Sequence, residues 1–155
     1  LGHVAKSWAD LNSQLEKIRK GRKVVFTNGV FDLLHVGHIR YLKEARALGD
    51  ILVIGVNSDE SVRALKGPTR PIQNESDRVE ILAALEAVSF TVLFGEQTPL
   101  KLIESVRPDV LVKGGDYKIE TIVGADFVMS YSGVVKVLSF VDGKSTTSIV
   151  QKSQT

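Results

Sequence analysis

Short apolar runs alternate with amphipathic stretches along this chain. Trp8, Leu11, Leu15 and Ile18 recur at helical spacing; Ser7 and Asp10 ahead of them resemble a capping box, and Gly21 stops the run. Val24–Phe26 is apolar throughout, and Ile51–Val56 is interrupted only by Gly55. Runs of that length predict strands buried on both faces. Between them Ile39, Leu42, Ala45 and Leu48 keep a helical period, with Gly49 in the C-terminal capping position. Ser58 can cap a short helix running to about Lys66, and Gly67-Pro68-Thr69-Arg70-Pro71 reads as a loop. Asn74 caps a further helix that turns Val79, Leu82 and Leu85 inward. Val88–Phe94, Asp109–Val112 and Val134–Leu138 supply the remaining strands. Helices are expected from Thr98-Pro99, over about 121–131, and after Ser145.

Strands alternating with helices imply a parallel sheet covered on both faces, and right-handed crossovers make it doubly wound. The expectation is therefore an α/β, Rossmann-like fold with a five-stranded parallel sheet. It forms a single domain over residues 1–155, with an N-terminal helix (1–21) leading into a core (22–152). No strand is expected before the first helix, and His3 is given no function. A ligand should lie beyond the C-terminal ends of the strands, near the switch point of the sheet.

Composition narrows the function. With no cysteine there is no disulfide framework, zinc–thiolate site or cysteine nucleophile. The 20 basic and 18 acidic side chains leave a net charge of +2, too balanced for the electrostatic footprint of a nucleic-acid binder. No apolar run reaches the ~18 residues a membrane helix needs, and no secretory pattern precedes the fold, so a cytoplasmic protein without membrane or nucleic-acid partners is expected.

The chemistry concentrates in Thr27-Asn28-Gly29-Val30-Phe31-Asp32-Leu33-Leu34-His35-Val36-Gly37-His38, which leaves the first strand and enters a helix. A helix start there presents unpaired N–H groups and a partial positive charge, suited to phosphate. His35 and His38 lie on one face of the first turn, each able to donate to phosphate oxygens. Gly37 lets a ligand approach the backbone, and Gly29 permits a tight exit from the strand. The segment is neither a G-x-G-x-x-G fingerprint nor a P-loop. A metal-ligand pair is the first alternative, but no third ligand stands at zinc-site spacing. A hydrolytic Ser-His-Asp set is the second, but the elbow motif is missing. Helix capping is the plainer role for a single histidine; two around a glycine favour phosphate.

His35-Val36-Gly37-His38 resembles the HxGH signature of the nucleotidyltransferase superfamily, which includes the cytidylyltransferases. Further runs narrow the resemblance: Gly55-Val56-Asn57-Ser58-Asp59, Lys66-Gly67-Pro68, Lys113-Gly114-Gly115-Asp116-Tyr117 and Ser145-Thr146-Thr147 are similar to those of heptose 1-phosphate adenylyltransferases. The resemblance covers about four-fifths of the chain. Cytidylyltransferases carry Arg-Thr-Glu-Gly-Ile-Ser before the last helix; here Phe140-Val141-Asp142-Gly143-Lys144-Ser145 lacks the arginine, which points away from a cytidylyl donor.

The resemblance implies AMP transfer from ATP to D-glycero-D-manno-heptose 1-phosphate, with pyrophosphate leaving by direct displacement. His35, His38 and a mobile Lys66 are the implied catalytic residues. Thr27, Asn28, Gly29, Phe31, Lys113, Gly114, Asp116, Ser145, Thr146 and Thr147 join the histidines in binding the nucleotide. Asp59, Lys66 and Arg78 bind the acceptor, Arg78 as a bidentate clamp on its phosphate. Plainer roles are a solvated lysine for Lys66, a helix start at Ser58-Asp59, a surface ion pair with Glu75 or Asp77 for Arg78, a glycine turn at Gly114-Gly115, and N-capping by Ser145. Mg²⁺ is expected on the ATP phosphates with no protein ligand. A homodimer and an upstream heptose kinase on a separate chain complete the expectation. The rivals are a transferase for another small phosphorylated alcohol, such as glycerol 3-phosphate, and a non-catalytic nucleotide-binding module.

Overall fold

The strands assemble in the order β1-β4-β3-β2-β5-β6, all neighbours parallel. They are β1 (His3–Val4), β2 (Val24–Gly29), β3 (Ile51–Asn57), β4 (Phe90–Phe94), β5 (Val110–Gly114) and β6 (Val134–Leu138). The computed structural model describes residues 2–139. The helix expected after Ser145, with Ser145, Thr146, Thr147 and Lys144, lies outside the described residues.

The sheet has six strands rather than the five expected. The extra strand is His3–Val4, which pairs with Phe90 and Thr91 at the edge. Two residues carry no readable period. Their place is fixed instead by backbone bonds, His3 N–H to Ser89 O and Ala5 N–H to Thr91 O. Gly2 beside them admits no side chain, since a Cβ would stand 2.3 Å from Ala83 O. His3 is therefore part of the framework.

Alternation along the strands sorts the core into two layers. Val24, Phe26, Ile51, Val53 and Leu111 face α1 (Trp8–Ile18), α5 (Leu100–Val106) and α6 (Ala125–Ser130). Val25, Leu52, Ile54 and Val112 face α2 (Val36–Arg46) and α4 (Glu75–Ala83). α1 and α4 start on the caps the sequence predicts, while the helix expected over about 121–131 is a 3₁₀ turn (Ile119–Thr121) followed by α6 from Ala125. Ser7 Oγ accepts from Asp10 N–H, and Asn74 Oδ1 from Asp77 N–H. Asp10 does not close the box on Ser7; its carboxylate takes Lys6 N–H. Ser58 caps α3 (Asp59–Lys66), and Lys66 ends that helix as the sequence predicts.

Two strands run further than their apolar runs. β2 continues through Thr27, Asn28 and Gly29, and β5 through Lys113 and Gly114. These polar extensions pair with β3 and β6 and bring the ends of β2 and β5 side by side. From β2 the chain proceeds to β3 and β4 on one side, then returns to β5 and β6 on the other. The switch point lies between β2 and β5.

Candidate active site

The path from β2 into α2 is built tightly. A Cβ at Gly29 would sit 2.9 Å from the Phe31 ring, which packs directly on the glycine backbone. Phe31 holds a left-handed φ of 50°, unusual for a bulky side chain and typical of functional turns. His35 is the N-cap of α2: its Nδ1 accepts from Gly37 N–H at 3.1 Å, and His38 Nδ1 accepts from His35 N–H at 3.3 Å. A neutral imidazole that accepts at Nδ1 carries its proton on Nε2. The reciprocal cap thus makes both rings Nε2–H donors. Their centroids lie 4.0 Å apart, with Phe31 5.5 Å from His38.

Burial, with the His35 ring beside it, pushes His38 down to about 4. It is therefore neutral near pH 7. Behind the histidines Thr27 and Tyr41 share a hydroxyl–hydroxyl bond of 2.6 Å, and burial pushes the Tyr41 phenol up to about 12.

Asp32 ties the turn into α2 to the 70–73 segment. Its buried carboxylate accepts from Arg70 Nε at 2.8 Å and from the backbone N–H groups of Ile72 and Gln73. Although burial opposes ionisation, these donors hold its carboxyl below the usual range. Lys66 is lowered by burial and then by the Arg70 charge, with Asp32 acting against both.

One cavity of about 210 Å³ gathers seven of the twelve expected residues that are described, His35 not among them. Asn28, Gly29, Phe31, His38, Lys66, Lys113 and Gly114 line it, with Asp32, Tyr41 and Arg70. It lies at the switch point, over the ends of β2 and β5. A smaller space of about 120 Å³ adjoins it through Asn28 and Lys113 and is otherwise largely apolar, walled by Pro99, Leu111, Ile122 and Val123. Lys113 Nζ stands 5.1 Å from the centre of the Tyr117 ring at its edge.

Other expected residues stand elsewhere. Thr27 is buried behind the cavity, and Asp116 is exposed beyond it. Arg78 departs most from expectation. Its side chain is fully buried, donating to Gln73 O, Val30 O, Asn57 O and Asp59 Oδ1. With four of five N–H bonds committed inside the protein, it pins β2, β3 and the 73–78 segment together and has no open fork for a phosphate. Neither Glu75 nor Asp77 is its ion-pair partner; Asp59 is, and Asp59 is fixed by it.

Sequence reasoning passed over Asp32, Tyr41 and Arg70. Asp32 did leave a signal: a carboxylate inside Val30-Phe31-Asp32-Leu33-Leu34 must be paired if buried. Arg70 left none, because a loop arginine is usually solvated.

Among the described residues there is no group of three His, Cys, Asp or Glu side chains able to hold a metal, and no helix is long and apolar enough to cross a membrane.

The cytidylyltransferase-like family model matches residues 26–152. Bifunctional protein HldE of Syntrophotalea carbinolica is 59% identical over 134 residues, which is 86% of this chain and 27% of that protein. That of Geobacter sulfurreducens is 56% identical over 133 residues, again 86% and 27%. The chain thus spans about a quarter of the length of these relatives. Among solved structures, the lipopolysaccharide core biosynthesis protein of Thermoplasma volcanium superposes with a TM-score of 0.63 at 32% identity, covering 80% of this chain and all of that one. The pantoate-beta-alanine ligase of Francisella tularensis, complexed with beta-gamma ATP and beta-alanine, reaches 0.65 at 16% identity, covering 99% of this chain and 77% of that one, and shares the fold.

Proposed function

The chain belongs to the cytidylyltransferase-like family, and from that premise we propose that it is an adenylyltransferase joining ATP and D-glycero-D-manno-heptose 1-phosphate into ADP-heptose. The observation that carries this reading is the convergence of Asn28, His38, Lys66 and Lys113 on one cavity at the switch point, beside a helix start capped by two histidines. The acceptor assignment is supported by the 59% identity to a bifunctional HldE and by the likeness to a lipopolysaccharide core biosynthesis protein.

A phosphate oxygen of the acceptor attacks the α-phosphorus of ATP; the bond to the β-phosphate bridging oxygen breaks, and pyrophosphate leaves with that electron pair. No covalent nucleophile is needed, so catalysis is positioning plus charge stabilisation. His35 and His38 donate from Nε2 to the phosphate chain, and both donors are set before ATP arrives by the Nδ1 caps. Lys66, lowered by burial and by Arg70, stands where incoming phosphates would favour its charged form. Asn28, Lys113 and Gly114 border the nucleotide side, with Asp116 and the Ser145–Thr147 hydroxyls proposed to complete it. Thr27 supports that wall from behind, and Asp59, oriented by Arg78, is proposed to accept from sugar hydroxyls. Mg²⁺ would neutralise the triphosphate. It is assigned to phosphate oxygens and water, as is usual for magnesium on a triphosphate. The same reading makes the enzyme a cytoplasmic homodimer supplied by a heptose kinase.

The test is pyrophosphate release with ATP, Mg²⁺ and a panel of sugar and polyol phosphates. Release with heptose 1-phosphate is expected. Release only with another acceptor, or ATP binding without turnover, would refute the assignment.

A further inference from the structure

Among the bonds of the described residues, Arg70 in the cavity wall uses only one of its five side-chain N–H donors. Its side chain is nine-tenths buried, and Nε is spent on Asp32. Nη2, also buried, has no hydrogen-bond partner among the described residues. A buried guanidinium N–H with nothing to accept it is costly, so such a group usually awaits a ligand. Arg70 lines the same cavity as Lys66, His38 and Lys113. Asp32, the carboxylate on that wall, already takes Arg70 Nε and two backbone N–H groups. Three cations therefore face the cavity against one fully engaged carboxylate, which calls for an anion.

Position tells which anion. The histidines stand at the end of β2, and Lys113 and Gly114 at the end of β5, so a nucleotide across the switch point takes the β2–β5 side. Lys66 and Arg70 follow β3, on the other side of β2. Arg78, the arginine expected to clamp the acceptor, is consumed inside the protein. We infer that Arg70 binds the phosphate monoester of the acceptor, its fork aimed by Asp32 and its Nη2 donating to a phosphate oxygen. This inference deepens the adenylyltransferase reading and rests on it for the identity of the phosphate.

Two measurements on the full chain test it. In Arg70→Lys and Arg70→Met, the KM for heptose 1-phosphate should rise at least about tenfold, while the KM for ATP stays within about twofold, the scale of one lost charge-assisted hydrogen bond. A residue that only braced the 70–73 loop would move both constants together, and that result, or an unchanged acceptor KM, overturns the inference. The second measurement needs no stable variant and no turnover. In wild-type protein with ¹⁵N-labelled arginine, inorganic phosphate should shift the Arg70 side-chain resonance, and an unmoved resonance overturns the inference. Normal pyrophosphate release with an indifferent Arg70 defeats this inference alone. A phosphate-responsive Arg70 without turnover on any heptose phosphate defeats the function and leaves the anion site standing.

Discussion

His35 joins two tasks in one ring: Nδ1 closes the first turn of α2, and Nε2–H is proposed to serve the phosphates. Substitution can part them. His35→Ala should lower kcat at least ~10²-fold, the usual scale for a lost donor to transition-state charge. It should also cost about 1 kcal/mol, the usual scale for a lost cap. His35→Ser restores a capping oxygen but no phosphate donor, so denaturant unfolding should return to near wild type while kcat does not; recovery of turnover would contradict the assigned role. His38 gives a pH signature. Its folded pKa of about 4 lies below the ordinary 6.5, so between those values the unfolded chain binds a proton that the folded chain refuses. Stability from this source is complete above pH 6.5 and lost as the pH falls toward 4. Asp32, lowered from 3.8, acts below that window. Urea unfolding at pH 4.5 and 7 should show a smaller difference in His38→Gln than in wild type, and an equal difference would exclude His38 as the source.

The elements were legible where burial imposed a period and illegible where hydrogen bonding alone fixed the chain. β3 and α4 could be read from apolar runs and capping residues. β1 could not, because two edge residues have no period, and the polar ends of β2 and β5 could not, because strand pairing rather than hydrophobicity carries them. Arg78 was misplaced for a related reason: an arginine reads as surface, yet this one is paid for by three carbonyls and Asp59. Gly55 shows what a signature glycine does in packing. A Cβ there would lie 2.9 Å from both Leu102 Cδ2 and Phe26 Cζ, so α5 rests directly on the β3 backbone. Gly55→Val should destabilise the protein by about 1–3 kcal/mol through overpacking, seen in chemical denaturation. A neutral result would show that α5 can withdraw freely.

At the scale of the whole molecule, the sheet order decides the chemistry. Reversal between β2 and β5 opens a gap that no helix of the described residues fills, and residues from 28 to 114 converge there. Alternating strands and helices made a cavity at the switch point predictable, and the HxGH segment follows the strand that borders it. Which arginine enters the cavity, and that Asp59 is anchored from behind, depend on long-range bonds that no local pattern encodes. The central claim is that the paired imidazoles grip a nucleoside triphosphate across this gap. A crystal structure with a non-hydrolysable ATP analogue and Mg²⁺ tests it most directly. The phosphate chain should lie within hydrogen-bonding distance of Nε2 of both His35 and His38, with the base toward Lys113. A phosphate chain bound away from both rings would contradict the claim.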